Sequence, residues 1–520
     1  MNFRWSVFVI ASVLAMPAVA AGNNADVVRG LAARVGPIVG SASACQAVDQ
    51  GRVQAIVDKF REVIREASSN GSDRDDLTRV FNGFVAEGRN RVGASQTDCT
   101  NAARQLADLE RSLGQPAPPQ TTSAMLAPSA AAAATAPTAT LPAQGAGNVQ
   151  GITPNEIRFG MAGPFSGASR ELGRQMKLGI DAAFNRTNDA GGIGGRSLRL
   201  FAADDGYEPS RTLEAMRQLY EKDKVFGFIG NVGTPTSAIS MPYALQHRAL
   251  FYGAFTGAGL LRNDPPDRYV FNFRASYSEE TDTVVHYLIK LRRLQPRDIA
   301  VFAQQDSYGD AGFAGVAKAY RTLGLSDASI TRLNYKRNTV DVDEAIGQLK
   351  AMKVPPKAVV MVATYRAAAK FIEKTRDLYP NMIYTNVSFV GSTELSDELM
   401  LLGPRYANGV IVTQVVPAVG GYSSAVLEYK SALEKYFPGE APSYVSFEGY
   451  MSANVLIQAM KRTGAQLDTE ALIDTLENMR DLDLGLGAKV GFGRAEHQAL
   501  HKIWGTALDA QGKYQSIELE

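Results

Sequence analysis

Two spacings of hydrophobic residues divide the chain. Over residues 21–114 apolar side chains recur at helical spacing, as Val53, Ile56, Val57, Phe60 and Ile64 do. This is the period of an amphipathic helix, so the region is predicted to form a small all-α module of three or four helices. The apolar stripes are interpreted as the core of this module. They do not indicate what the module does.

From residue 151 to the C-terminus, short apolar runs of β type alternate with amphipathic helical stripes. Such alternation predicts an α/β fold, in which parallel sheets carry helices on both faces. The region is longer than one hydrophobic core usually serves, so two lobes are expected. Strands are predicted at residues 157–161, 198–202, 225–229, 249–252, 299–302, 358–362, 387–390 and 409–413.

The N-terminus and the stretch between the two regions have compositions of their own. Arg4 precedes an apolar run over residues 7–19, which ends in small residues. This pattern predicts a signal peptide, residues 1–20, that is cleaved on export to the periplasm. Residues 115–150 are dominated by Ala, Pro, Thr and Ser with almost no charge, which predicts a flexible linker.

Charge and cysteine content narrow the function classes. The chain has 54 basic and 53 acidic residues, a net charge of +1, which argues against a nucleic-acid-binding protein. Cys45 and Cys99 are the only cysteines, and in an oxidising compartment they predict one disulfide, with two free thiols as the alternative. His497 and His501 precede a predicted strand, where their spacing does not converge, so neither a metal site nor a cofactor is predicted.

Three loops rich in glycine and hydroxyl residues follow predicted strands of the first lobe. They span residues 163–167, which include Ser166, residues 230–237 and residues 253–257. Free N–H groups and hydroxyls at a helix start suit a carboxylate, although each loop alone is also a simple strand-to-helix turn. Ligands of open α/β sheets sit at the carboxyl ends of the strands, so a ligand cleft between the lobes is expected.

The motifs of this region resemble one family in order and spacing. They are Gly163-Pro-Phe-Ser-Gly167, Asp204-Asp205, Gly230-Asn-Val-Gly-Thr234, Gly253-Ala-Phe-Thr256, Gln305-Asp-Ser-Tyr-Gly309, Phe389-Val-Gly391, Thr413-Gln-Val-Val416 and Ser446-Phe-Glu-Gly-Tyr450. They look like those of the periplasmic leucine/isoleucine/valine-binding proteins, substrate receptors of ABC importers with the type I two-lobe fold. The resemblance covers residues 155–520 and leaves out residues 21–150.

The resemblance implies how the chain is divided between the lobes. Lobe 1 is expected at about residues 151–275 and 418–490, and lobe 2 at about residues 276–417 and 491–520.

The resemblance also implies a set of ligand-binding residues. Thr234 matches the hydroxyl residue that holds the ligand carboxylate, and Phe255 (through its backbone) and Thr256 match residues that hold the carboxylate and the ammonium group. Tyr308 and Tyr365 match aromatic residues of the second lobe.

Two positions depart from the family pattern, and the role of a third residue, Tyr207, is open. The acid that pairs with the ligand ammonium aligns with Thr393, and a shift of one residue would bring in Glu394 instead. If Glu394 does not take this place, the ligand ammonium has no anionic partner, and specificity for an α-amino acid would not follow. Leu172 replaces a bulky aromatic residue near the first loop. Tyr207 is interpreted as a surface-packing residue, with an aromatic wall of the cleft as the alternative.

The leading hypothesis is a periplasmic protein that captures an amino acid, or a similar small carboxylate or amide, and docks on the membrane permease of an ABC importer. The alternative is a ligand-sensing receptor subunit with the same fold. An exported α/β enzyme is disfavoured because the sequence has neither a Gly-x-Ser-x-Gly elbow nor a phosphate loop between strand and helix. A fourth hypothesis is that the N-terminal module mediates an interaction with another molecule.

Overall fold

The structure is a computed structural model that describes residues 23–45, 48–68, 71–91 and 149–519. Between the last two ranges it also describes residues 99, 102, 103, 106 and 109. By their contacts the residues form two compact units, Met1–Ala139 and Thr140–Glu520. The predicted signal peptide and nearly all of the predicted linker lie outside the described residues. Among the helices described, none is both long enough and apolar enough to cross a bilayer.

The first unit is helical, as predicted. It contains α1 (Asn23–Ala44), α2 (Gln50–Ala67) and α3 (Gly71–Arg91). Of the five predicted core residues of α2, four are buried and Val57 is half-buried. Phe60 stacks on Phe81 of α3 with ring centroids 4.4 Å apart. Cys45 and Cys99 form the predicted disulfide.

Glycines bring α1 and α3 unusually close. A Cβ atom at Gly40 would lie 2.1 Å from the carbonyl oxygen of Val85, and one at Gly88 would lie 2.3 Å from that of Pro37. Because a Cβ atom does not fit at these distances, the contact between the two helices depends on glycine at both positions.

The first lobe of the second unit is built on a parallel five-stranded sheet of order β2-β1-β3-β4-β5. Its strands are β1 (Glu156–Gly163), β2 (Ser197–Asp204), β3 (Gly227–Ile229), β4 (Leu250–Tyr252) and β5 (Val270–Phe271). The helices between these strands are α4 (Arg170–Asp189), α5 (Pro209–Arg217) and α6 (Thr234–Gln246).

A later part of the chain completes the first lobe. It supplies α13 (Ser424–Tyr436), α14 (Tyr444–Thr463), α15 (Thr469–Glu477) and the two-stranded pair β11 (Leu482–Asp483) and β12 (Lys489–Val490). Helix α14 packs against α4 so closely that a Cβ atom at Gly179 would lie 1.8 Å from the carbonyl oxygen of Ser446.

The second lobe is built on a seven-stranded sheet of order β14-β13-β10-β9-β8-β6-β7. Five strands are parallel: β6 (Ile299–Gln304), β7 (Thr331–Tyr335), β8 (Ala358–Val362), β9 (Ile383–Asn386) and β10 (Ile411–Gln414). The antiparallel strands are β13 (Trp504–Leu508) and β14 (Tyr514–Ile517). The helices are α7 (Tyr277–His286), α8 (Ser307–Thr322), α9 (Asp343–Ala351), α10 (Tyr365–Thr375), α11 (Ser392–Leu402) and α12 (Pro404–Ala407).

One predicted strand is wrong. Residues 387–390 were expected to be extended, but β9 ends at Asn386 and Ser388–Val390 form a 3-10 turn. The residues of this turn are buried, because the turn faces the other lobe. A continuous apolar run indicates burial and does not by itself distinguish a strand from a buried turn.

Three chain segments, residues 272–276, 415–423 and 491–503, cross between the lobes, and the first of them carries Arg274, the centre of a buried ion cluster. Arg274 is fully buried and pairs with Glu280 of the second lobe at 3.2 Å and with Glu448 of the first lobe at 3.5 Å. Removing one partner from such a cluster leaves an uncompensated buried charge, which is strongly destabilising. The cluster therefore joins both lobes to the first crossing segment.

Candidate ligand-binding site

The carboxyl ends of the strands in the two sheets face each other, and side chains join the lobes there. Gln304, at the end of β6, donates a hydrogen bond to the hydroxyl oxygen of Tyr207 at 3.2 Å. The Tyr365 hydroxyl donates to the carbonyl oxygen of Ala168 at 2.7 Å. These bonds place the candidate site in the cleft between the lobes.

A cluster of buried hydroxyls lies at the first-lobe side of the cleft. The hydroxyl oxygens of Thr234 and Thr256 are 2.7 Å apart, and both side chains are fully buried. Thr234 begins α6 directly after Gly233, which has φ = 105°, so the free N–H groups of the first helical turn lie beside these hydroxyls. Such an arrangement of donors suits an anionic group such as a carboxylate.

Tyr277 adds a third hydroxyl to this cluster. Burial raises the pKa of Tyr277 to about 12, against the opposing influence of Arg274 and of the hydroxyls of Thr256 and Thr234. The phenol therefore stays protonated at neutral pH. Within the described part of the chain its oxygen has no hydrogen-bond partner of normal geometry. A ligand carboxylate would supply the missing acceptor.

Aromatic rings from both lobes pack against one another beside the hydroxyls. Phe389 of the second lobe is the central ring, with ring centroids 4.6 Å from Tyr308, 5.0 Å from Phe255, 6.1 Å from Tyr207 and 6.3 Å from Tyr277. All five side chains are at most 1% exposed. The rings exclude water, which strengthens hydrogen bonds made by the hydroxyls beside them.

Two of the predicted binding residues are engaged within the first lobe. Ser166 is exposed and donates its hydroxyl to Asp204 at 2.6 Å. The Phe255 N–H donates to the carbonyl of Asn231 at 2.8 Å, and its carbonyl accepts from the N–H of Gly233 at 3.1 Å. Phe255 thus contributes its ring to the cleft, while its backbone links two loops.

The acidic residue of this part of the second lobe is Glu394, in the first turn of α11, and the preceding Thr393 carries no charge. Thr393 is half-buried, whereas Glu394 is 7% exposed and its Oε2 has no hydrogen-bond partner among the residues described. Burial raises the pKa of Glu394 to about 7. A Cβ atom built at Gly391 would lie 3.0 Å from this oxygen and 2.7 Å from Leu172 of the first lobe, so the carboxyl lies where the lobes meet. An ammonium group is a suitable partner for it.

The surface-packing interpretation of Tyr207 is wrong. Its side chain is fully buried, with φ = 61°, and its ring lies so close to Gly233 that a Cβ atom there would be 2.3 Å away. The sequence favoured a surface position and gave a wall of the cleft only as the alternative. The contacts of Tyr207 come from a different loop and from the other lobe, which a local pattern does not reveal.

Two further residues of the site, Tyr277 and Gln304, were not predicted. Tyr277 is the first residue of α7, directly after a crossing segment, and Gln304 is the last residue of β6. A polar residue at the end of an otherwise apolar strand was the one available signal for Gln304, since ligands of α/β sheets lie at strand ends.

The two histidines considered for a metal have different partners. Nδ1 of His497 is 2.9 Å from the carbonyl oxygen of Val270, and Nδ1 of His501 is 2.6 Å from Glu279. No group of three potential metal ligands occurs among the residues that the structure describes.

Comparisons with known proteins agree with this architecture. The sequence model of a family described as "Periplasmic binding protein" matches residues 156–513. An "Amino acid binding protein" of Pseudomonas aeruginosa is 24% identical over 315 residues, covering 60% of this chain and 79% of the relative. "Leu/Ile/Val-binding protein homolog 3" of Brucella melitensis is 23% identical over 336 residues, covering 64% and 86%.

Solved structures give the same result. A possible leucine/isoleucine/valine-binding protein from Rhodopirellula baltica is 37% identical with a TM-score of 0.67, covering 72% of this chain and 98% of the other. A substrate-binding periplasmic protein from Ralstonia solanacearum is 26% identical with a TM-score of 0.63, covering 70% and 100%. These relatives are solute-binding proteins, and their family implies a periplasmic or extracellular location. Because the family model spans more than half of the chain, this protein belongs to the periplasmic binding proteins, in the leucine/isoleucine/valine-binding family with the type I fold.

Proposed function

We propose that this protein captures an amino acid, or a similar small carboxylate or amide, between its lobes and delivers it to the membrane permease of an ABC importer. The observation that carries the proposal is the buried hydroxyl cluster of Thr234, Thr256 and Tyr277 beneath a wall of aromatic rings. The cluster offers hydrogen-bond donors to a carboxylate from side chains that are buried from water. The names of the relatives, an amino-acid-binding and several Leu/Ile/Val-binding proteins, support the ligand class.

Each part of an amino acid has a partner in the cleft. The carboxylate would accept hydrogen bonds from the hydroxyl cluster, and the ammonium group would lie against Glu394. The side chain would lie among the rings of Phe255, Tyr308 and Phe389. The ligand would then touch both lobes, and a ligand that binds only the closed form shifts the protein toward that form.

The binding experiment uses mature protein that has been unfolded and refolded to remove bound ligand. Calorimetric titrations with leucine, isoleucine and valine are compared with titrations of 4-methylpentanoate, which lacks the ammonium group, and leucinamide, which lacks the carboxylate. The amino acids are expected to bind more tightly than either analogue. If none of the five compounds binds, the proposed ligand class is wrong.

Two variants connect binding to the hydroxyl cluster. Thr234→Val keeps the shape of the side chain and removes the hydroxyl, so the Kd of the bound amino acid should rise about tenfold or more, since a hydrogen bond to a charged group contributes about 1.5–3 kcal/mol. Thr322→Val is the matched control, because Thr322 is exposed at the end of α8. An unchanged Kd in Thr234→Val would remove the cluster from the proposal.

A second candidate is a ligand-sensing receptor subunit. It is favoured by the N-terminal helical unit, which has its own core and disulfide and lies outside residues 156–513 that the family model matches. Cross-linking the ligand-loaded protein in intact cells and identifying its partner by mass spectrometry distinguishes the two. ABC permease subunits support the importer, and a membrane signalling protein supports the receptor.

Export is a third part of the proposal. The N-terminal sequence predicts that the mature chain begins at Ala21. N-terminal sequencing of the protein released from cells by osmotic shock tests this. A chain that still begins at Met1 would contradict cleavage.

A further inference from the structure

A loop of the second lobe contacts the first lobe through residues that do not belong to the hydroxyl cluster. It follows β7 and carries Arg337 and Asn338. Asn338 Nδ2 donates to the carbonyl oxygen of Gly206 at 3.0 Å and to Glu208 Oε1 at 2.7 Å. Arg337 donates to Glu208 Oε2 at 2.9 Å. Asn338 Oδ1 also accepts a hydrogen bond from the Ser169 hydroxyl at 3.4 Å. Four hydrogen bonds therefore tie this loop to the first lobe.

Contacts within the second lobe also hold this loop in place. Arg337 donates a second hydrogen bond to Asp306 Oδ2 at 2.8 Å, and Asp306 also caps the start of α8. Asn338 has φ = 57°, in the left-handed region that asparagine adopts more readily than most residues. The second lobe thus presents Arg337 and Asn338 as a preformed pair of donors.

The residues that this pair binds flank a wall of the cleft. Gly206 and Glu208 lie on either side of Tyr207, whose hydroxyl accepts a hydrogen bond from Gln304. Three adjacent residues of the first lobe, 206–208, therefore each make a hydrogen bond to the second lobe. The hydrogen bonds to Gly206 and Glu208 therefore also hold the ring of Tyr207 in position.

We propose that Arg337 and Asn338 are positioning residues that clamp the Tyr207 loop and stabilise lobe closure in the protein without ligand. The clamp bonds involve neither the threonine hydroxyls nor Glu394. Loss of the clamp therefore lowers the closed fraction, and with it the affinity for every ligand, by one common factor. In its ligand readout this inference rests on the proposed function, but the effect on the free protein does not.

The expected size of the effect follows from exposure. The side chains of Arg337 and Glu208 are 23% and 37% exposed, so solvent weakens their ion pair. Removing the clamp should reduce the ratio of closed to open protein by about threefold to tenfold, in the range of a partly exposed charged hydrogen bond.

The test measures the distance between spin labels attached to cysteines introduced at Arg217 and Lys350. Both positions are exposed, one on α5 of the first lobe and the other on α9 of the second. Refolded, ligand-stripped protein is measured by pulsed electron spin resonance, without ligand and with saturating leucine. The Arg337→Ala/Asn338→Ala double variant is expected to lose closed population in the free protein.

Two further variants make the result specific. Glu208→Ala removes clamp bonds from the other lobe and should also lower the closed population. Arg366→Ala removes an ion pair with Glu398 inside the second lobe, 3.2 Å in length, and should leave the distances unchanged. Thermal unfolding of each variant shows whether it is folded.

The outcomes separate this inference from the proposed function. A free wild-type protein with no closed population, or clamp variants with unchanged distances, would overturn the clamp. If leucine neither binds nor changes the distances while the clamp variants open, the clamp stands and leucine binding is wrong. If leucine binds and the clamp variants lose affinity for leucine and valine by the same factor, the common-factor prediction is confirmed.

Discussion

The carboxyl of Glu394 should make the stability of the ligand-free protein depend on pH. Its pKa is raised by burial from an ordinary value of 4.5 to about 7. The folded protein then holds a proton on this group in a range of pH where the unfolded chain has released it. Stability falls with rising pH wherever the folded state binds more protons. The loss begins near pH 4.5 and is complete just above pH 7.

The magnitude follows from the pKa. Each unit of difference corresponds to about 1.4 kcal/mol, so a rise from 4.5 to about 7 corresponds to about 3 kcal/mol. Glu394→Gln removes the ionisation and keeps the shape of the side chain. The variant should have a free energy of unfolding similar to the wild type near pH 4.5. By pH 8 it should be more stable by up to about 3 kcal/mol.

Chemical denaturation at several pH values between 4.5 and 8 measures this difference. Subtracting the wild-type curve from that of Glu394→Gln cancels groups common to both, including Glu448, whose pKa burial also raises to about 7. Glu398→Gln, one helical turn further along α11 and partly exposed, is the control. A difference between Glu394→Gln and wild type that does not vary with pH would refute the desolvation of Glu394.

Ligand binding provides a second test of the ionisation of Glu394. An ammonium group beside Glu394 favours the ionised carboxyl, so binding near pH 6.5 should release a proton. Calorimetry in buffers of different ionisation enthalpy detects this release. The release should be absent in Glu394→Gln. Proton release that persists in the variant would place the ammonium group elsewhere.

Two further predictions concern the disulfide and the cleft. Replacing Cys45 and Cys99 by serine should destabilise the N-terminal unit by about 4 kcal/mol, as expected for a closed loop of this length (sequence separation 54), and leave the Kd unchanged, which denaturation followed by titration measures. A lost affinity would contradict the independence of the binding region. Gly233→Ala should raise the Kd at least tenfold, because Gly233 has φ = 105° and its Cβ atom would lie 2.3 Å from the ring of Tyr207. Gly324→Ala, with φ = 71° and no heavy atom near the new Cβ, is the control, and equal effects of the two changes on the Kd would exclude the ring contact as the cause.

The fold was predictable where hydrophobic pattern and backbone form coincide. Residues 358–362 are apolar throughout and form β8, which is covered on both faces. Residues 331–335 alternate between polar and apolar side chains at the sheet edge and form β7, which was not predicted. The apolar run at residues 387–390 is buried but turns, because its burial comes from contact with the first lobe and not from a sheet.

The candidate site was predictable only as far as local loops define it. Thr234 and Thr256 lie in loops that follow strands, and the structure brings them together as expected. Tyr207, Tyr277 and Phe389 join them through lobe closure and a crossing segment. Their positions depend on contacts between residues far apart in the chain, so a local pattern does not reveal which residues they meet.

The first lobe consists of two chain segments separated by most of the second lobe, and this has a consequence for the order in which the protein can fold. The close contact between Gly179 of α4 and Ser446 of α14 joins helices that are made far apart in time during synthesis. Until α14 has been synthesised, α4 lacks the surface against which it packs. Contacts so distant in sequence form slowly, because the intervening chain must first be closed into a loop. The nascent protein therefore stays incompletely folded until nearly all of its chain is available.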